Sequence, residues 1–140
     1  MKRICFLVII FVGFICTAYQ CASDDCHKTI HFINNSQKEI YISSGSYPDT
    51  SFYYKFPNPN RDPNIYRVKP GERNGNGLWD WDCYEYNIAH NYVIIYVFDA
   101  EVLETIPWDT IGKYYMVLKT YHPTLEEMEN NNWTITYTGE

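Results

Sequence analysis

The chain has 140 residues, 46% of them apolar, with 11 basic and 17 acidic side chains and a formal net charge of −6. That length suits one ordinary domain, and the apolar share is large enough for a packed core, which excludes wholesale disorder. The acidic balance and the lack of a basic stripe argue against nucleic acid as a partner, because phosphate tracking needs clustered Lys and Arg.

The first element is a leader over residues 1–20. Lys2 and Arg3 precede an apolar run of 12 residues, Ile4 to Ile15, broken only by Gly13. A membrane-spanning helix needs about 20 apolar residues, so the run reads as the core of an export signal. Its removal with Lys2 and Arg3 leaves 9 basic against 17 acidic residues, a net of −8. Cys21, followed by Ala22-Ser23-Asp24-Asp25, is the expected lipidation site. A lipidated Cys with a short Ser/Asp tail resembles the surface-export signal of Bacteroides-type lipoproteins. Ala18, Tyr19 and Gln20 fit a lipobox poorly. Lipidation at Cys16, or ordinary cleavage after Ala18, therefore remains an alternative. Residues 21–28 are then a polar tether, and 29–140 one folded domain.

Five cysteines occur, and Cys5 and Cys16 leave with the leader. If Cys21 carries lipid, Cys26 and Cys83 remain and can pair. Exported compartments permit such a bridge. No C-x-x-C pattern is present, so neither a metal nor another cofactor is expected.

Thr29–Ile33 and Glu39–Ser43 both alternate apolar and polar, with the turn cluster Asn34-Asn35-Ser36-Gln37 between them, and are predicted to form a hairpin. Residues 44–64 are loop-rich, with a short edge strand at Ser51–Phe56 ahead of the prolines. Ile65–Val68 is the next strand, closed by Lys69-Pro70-Gly71-Glu72, a type II turn signal. Tyr92–Phe98 is unbroken and apolar, which suits a central strand covered on both faces. Asp99 and Ala100 end it.

Residues 107–114 form a short predicted helix with Trp108, Ile111 and Tyr115 on one face. Met116–Tyr121 is a strand. Thr124 and Glu127 have capping-box spacing at a helix start. Trp133–Thr138 alternates cleanly and ends the domain. The folded part leans on Tyr and Trp, which suit half-buried sheet faces. Six or seven strands, two or three helical turns and no βαβ rhythm predict an antiparallel β-sandwich of immunoglobulin-like type. A half-open barrel is the alternative.

At this point the segments "HFINNSQKEIYI", "YRVKPGE", "DCYEY", "VIIYVFDAEVLE", "PWDTIGKYYMVLKTY" and "LEEMENNNWTITY" carry a likeness. The chain resembles a group of small lipoproteins from gut Bacteroides-type bacteria, over most of 26–138 and most strongly over 92–138. The resemblance implies an envelope location and supports pairing of Cys26 with the Cys of "DCYEY". The group has no established activity, so it implies no catalytic residue.

The candidate sites follow from residue chemistry. Trp79, Trp81, Tyr84 and Tyr86, interleaved with Asp80, Asp82 and Glu85, form a possible ligand patch. Exposed aromatic rings stack on sugars while acids and amides take their hydroxyls. The competing reading packs Trp79 and Trp81 over the bridge. Asp109-Thr110-Ile111 resembles a bacterial O-glycosylation acceptor at Thr110, against a plain role in the first turn of a helix. Asn58, Asn60, Asp62 and Asn64 mimic a calcium loop but place Pro63 and Lys69 where Gly and Glu belong. His27, His31, His90 and His122 match no metal or catalytic motif.

The acids Asp99, Glu101 and Glu104 would serve a glycosidase only if two of them faced each other across a sugar. The expected function is therefore a non-enzymatic outer-membrane lipoprotein, at the cell surface or the periplasmic face. It would be held by its lipid and bind a glycan or an envelope protein, or support the envelope. A small carbohydrate-active or other hydrolytic enzyme, and a soluble secreted binding protein, are the alternatives.

Overall fold

A computed structural model describes residues 26–45, 58–80 and 82–139. The leader, Cys21, most of the tether, the expected edge strand at 51–56 and Trp81 lie outside the described residues.

Among the described residues, seven strands form two sheets: β1 (Thr29–Asn34), β2 (Ile40–Gly45), β3 (Arg67–Val68), β4 (Leu78–Trp79), β5 (Ile94–Asp99), β6 (Lys119–Tyr121) and β7 (Thr134–Tyr137). The first sheet runs β4-β1-β7 and the second β3-β2-β5-β6. Five short helices accompany them: α1 (Pro63–Tyr66), α2 (Tyr84–Ala89), α3 (Ala100–Thr105), α4 (Trp108–Lys113) and α5 (Leu125–Asn130). The result is a small β-rich fold with more helix than the sequence pattern predicts.

The strands at 29–34 and 40–45 exist, but they are not a hairpin. β1 pairs with β4 and β7, and β2 with β3 and β5. Asn34 explains the separation. Its side chain is fully buried and makes four hydrogen bonds. Nδ2 donates to the Lys38 carbonyl at 2.7 Å and to the Val68 carbonyl at 3.0 Å. Oδ1 accepts from the backbone N–H of Ser36 at 3.0 Å and from its hydroxyl at 2.7 Å. A carboxamide has two donors and room for two acceptor contacts, so every valence is used. The predicted turn cluster is thus a crossing between sheets.

The pairing is also not uniformly antiparallel. β1 and β7 run parallel, in the register His31 to Thr134 through Asn34 to Tyr137. The chain from residue 35 to residue 133 separates them, room for the long connection that parallel strands need.

β5 behaves as its composition requires. Ile94 through Phe98 are all buried. Ile95 and Val97 join Ile30, Phe32, Ile40, Ile42 and Ile135 in one core. Ile94, Tyr96 and Phe98 pack with Tyr41, Leu103 and Ile111 in a second, which draws on α3 and α4. Ala100 does not merely end the strand but opens α3, for which Asp99 Oδ1 accepts from Glu101 N–H at 3.0 Å as an N-cap.

Other expectations shift at element ends. Ile65 and Tyr66 lie in α1, which has a Pro at its start, so only Arg67 and Val68 are extended. α4 stops at Lys113, and Tyr115 takes a φ of 48° and stays exposed instead of extending the apolar face. The strand expected at 116–121 is paired only over 119–121. The turn at Lys69–Glu72 forms as expected. Gly71 has φ of 76°, and Glu72 N–H donates to the Lys69 carbonyl at 3.0 Å. The capping box at Thr124 and Glu127 is complete. Trp133 is buried just ahead of β7, which buries Ile135 and Tyr137 and leaves Thr134 half-buried and Thr136 exposed, as its alternation demands.

Candidate functional site

Cys26 and Cys83 are joined by a disulfide, with their Cα atoms 5.3 Å apart and a sequence separation of 57. The bridge fastens the start of the described chain to the entry of α2. Backbone bonds close the same seam. Tyr84 N–H donates to the His27 carbonyl at 2.9 Å and Asp80 N–H to the Lys28 carbonyl at 3.0 Å.

Beside the bridge, Glu85 in the first turn of α2 faces His27. The His27 backbone N–H donates to both carboxylate oxygens, at 3.0 and 3.1 Å. Its ring Nδ1 lies 2.6 Å from Glu85 Oε1. Burial pushes the Glu85 carboxyl up, but the His27 ring and backbone N–H groups outweigh it and hold it below the usual carboxylate value. The His27 ring also stacks on Trp133, with centroids 4.1 Å apart and planes 13° from parallel. Trp133 reaches that position through consecutive positive φ values at Asn132 and Trp133, which turn the chain sharply after α5.

The four expected patch residues separate. Trp79, at the end of β4, is 51% exposed, and Tyr86, on the outer face of α2, is 58% exposed. Tyr84 is buried on the inner face, where its hydroxyl donates to the Leu78 carbonyl at 3.0 Å. It is a core residue and takes no part in a surface patch, because helix positions 84 and 88 turn inward together while 86 turns out. Burial drives its phenol strongly upward. Trp81 lies outside the described residues. The exposed row continues from Tyr86 through His90 to Tyr92, with ring centroids 4.2 and 5.7 Å apart. The sequence reading missed His90 and Tyr92 here. Their i+4 and i+6 spacing from Tyr86 becomes a signal only once 84–89 is known to be a helix.

The acids have local tasks. Asp80 accepts from the Asp82 N–H and from Asn87 Nδ2. Asp99 caps α3 and pairs with Lys38 at 2.7 Å. Glu104 accepts from the Tyr41 hydroxyl at 2.9 Å and lies 3.4 Å from Arg67, which also pairs with Glu39. A groove of about 480 Å³ lies between β6, α5 and β7. The one carboxylate among its lining residues is Glu127, whose Oε2 accepts from the Thr124 N–H and hydroxyl. That groove therefore offers no second acid for acid–base work on a sugar.

The remaining expected residues fall apart in space. Thr110 is half-buried in the first turn of α4, with Asp109 exposed beside it and Ile111 in the core. Asn58 accepts from the Asn60 N–H and caps a 3₁₀ turn at Pro59–Arg61, and Asn60 accepts from Tyr41. His90 Nδ1 lies 2.8 Å from the Tyr86 carbonyl. His31 is in β1 and held below the usual imidazole value, first by burial and then by the Arg73 charge. His122 is exposed at the edge of the groove. Among the described residues, no helix is long and apolar enough to cross a membrane.

Comparison of the chain with protein families, with curated proteins and with solved structures finds no match.

Proposed function

We propose that the protein is an exported, lipid-anchored binding module of the bacterial envelope, and that its two sheets act as a sandwich-like scaffold for an aromatic surface. The observation that carries this reading is the exposure of Trp79 and Tyr86 within a segment held rigid by the Cys26–Cys83 bridge. A large ring costs free energy when left in water, and rigid aromatic side chains are favoured anchors at binding surfaces. With Tyr92, Asn87 and Asp80 they supply stacking faces and polar groups of the kind that hold glycans. The bridge itself suits an oxidising compartment, and the apolar leader supplies the route there.

Glycan-array binding by the full chain tests the surface. Trp79→Ala and Tyr86→Ala are each expected to remove binding, and binding unchanged in both overturns the reading. Fatty-acid labelling of wild type beside Cys21→Ala tests the anchor. Label lost in the variant supports Cys21, retained label moves the site to Cys16, and no label in wild type removes the anchor.

A further inference from the structure

The corner at the disulfide holds more donor chemistry than a structural bridge requires. Both sulfurs and a Glu85 carboxylate oxygen lie within 4.8 Å of one another, all three residues being half-buried. The His27 ring nitrogen is 2.6 Å from Glu85 Oε1. Two sulfurs and one carboxylate are donors that zinc accepts in a tetrahedral centre with an open fourth position, and the imidazole on the carboxylate is the outer partner that orients such a ligand.

We infer that reduction of the Cys26–Cys83 bridge converts this corner into a binding site for a thiophilic divalent cation of the zinc class, with Cys26, Cys83 and Glu85 as ligands and His27 holding the Glu85 carboxylate in place.

The geometry favours it because the donors do not depend on the sulfur–sulfur bond to stay together. His27 is held by its stack on Trp133 and by its backbone N–H, shared between the two Glu85 carboxylate oxygens. The entry of α2 is held by the Tyr84 N–H bond to the His27 carbonyl. Two thiolates on one zinc ion stand about 3.8 Å apart at Zn–S distances of about 2.3 Å. With the Cα atoms 5.3 Å apart, side-chain rotation alone supplies that opening. The chemistry balances. An external dithiol gives two electrons and two protons to the bridge and leaves as its own cyclic disulfide, and the two protein thiols release their protons as the cation binds. Glu85 contributes a carboxylate oxygen, and the His27 ring stays hydrogen-bonded to that carboxylate. An external disulfide takes the two electrons back, leaving as its two thiols, so the bridge reforms and the ion is expelled, and the corner stays cross-linked in either state.

The test uses the full chain with Cys5→Ala, Cys16→Ala and Cys21→Ala, which leaves Cys26 and Cys83 as its only thiols. The protein is reduced with dithiol, desalted without oxygen and titrated with Co²⁺. One Co²⁺ per chain is expected, with intense near-ultraviolet thiolate absorption that Zn²⁺ abolishes and that the oxidised protein never shows. His27→Ala and Glu85→Gln should each weaken binding by about tenfold or more. Near-UV circular dichroism guards against unfolding. If reduction melts the domain, the cation should restore the tryptophan signal. The inference is overturned by a reduced protein that binds no Co²⁺, by binding indifferent to both variants, or by a melted domain that the cation leaves melted.

Discussion

Asn34 and Val68 stand 34 residues apart in the chain, yet the Asn34 carboxamide donates to the Val68 carbonyl across 3.0 Å of buried space. The bond ties the end of β1, in the first sheet, to β3, at the edge of the second. Truncation of Asn34 leaves the Lys38 and Val68 carbonyls without those donors and opens a cavity. Asn34→Ala is expected to lower unfolding free energy by about 3 kcal/mol. Urea denaturation measures it, and a loss below about 1 kcal/mol would show that the crossing does not depend on this side chain.

The disulfide closes a loop with a sequence separation of 57. Chain entropy assigns such a loop about 4 kcal/mol. Cys26→Ser with Cys83→Ser, compared with the oxidised protein in metal-free urea titrations, should show a loss of that order. No difference would mean that the seam of backbone bonds and the His27–Trp133 stack hold the corner unaided.

Tyr41 sets an alkaline limit. Burial first, then its hydrogen bond to ionised Glu104, pushes its phenol up to about 12. In the unfolded chain it titrates near the ordinary value of about 10. The folded state therefore binds the proton more tightly. The resulting stability is complete below about pH 10 and is lost as pH rises to about 12. Tyr41→Phe removes the titrating group. The stability gap between wild type and variant should narrow between pH 10 and 12, and a gap constant over that range would refute the assignment.

Gly77 is where β4 approaches β1. Its φ is +69°, and a Cβ there would collide with the Thr29 side chain and stand 3.1 Å from the Ile30 carbonyl oxygen. Left-handed backbone disfavours any other residue, and here the space is also taken. Gly77→Ala should cost at least about 1 kcal/mol, whereas Gly71→Ala, with φ of +76° but open space around it, should cost less. Thermal melts of the two variants decide the order.

The strands over 29–34, 40–45, 94–99 and 134–137 were legible because period-two alternation, or an unbroken apolar run, reflects burial directly. The Thr124 capping box was legible because both partners sit within four residues. The α2 helix was not. "YEYNIA" has no capping side chain, and its aromatic residues read equally well as surface or strand. That ambiguity put Tyr84 in a patch it does not join and left His90 and Tyr92 out of the row that Tyr86 begins. Similarly, Asp99-Ala100 looked like the end of a strand, although the same Asp is the cap of α3.

The sequence alone determined which residues are apolar enough to be inside and where the chain must turn, because those properties belong to single residues and near neighbours. Only the tertiary structure decided that β1 and β2 lie in different sheets, that β1 and β7 run parallel, and that His27, Glu85, Trp133 and the bridge share one corner. Such contacts join residues far apart in the chain. Their choice is made by competition among whole packings, in which a buried carboxamide such as Asn34 must find all its partners at once.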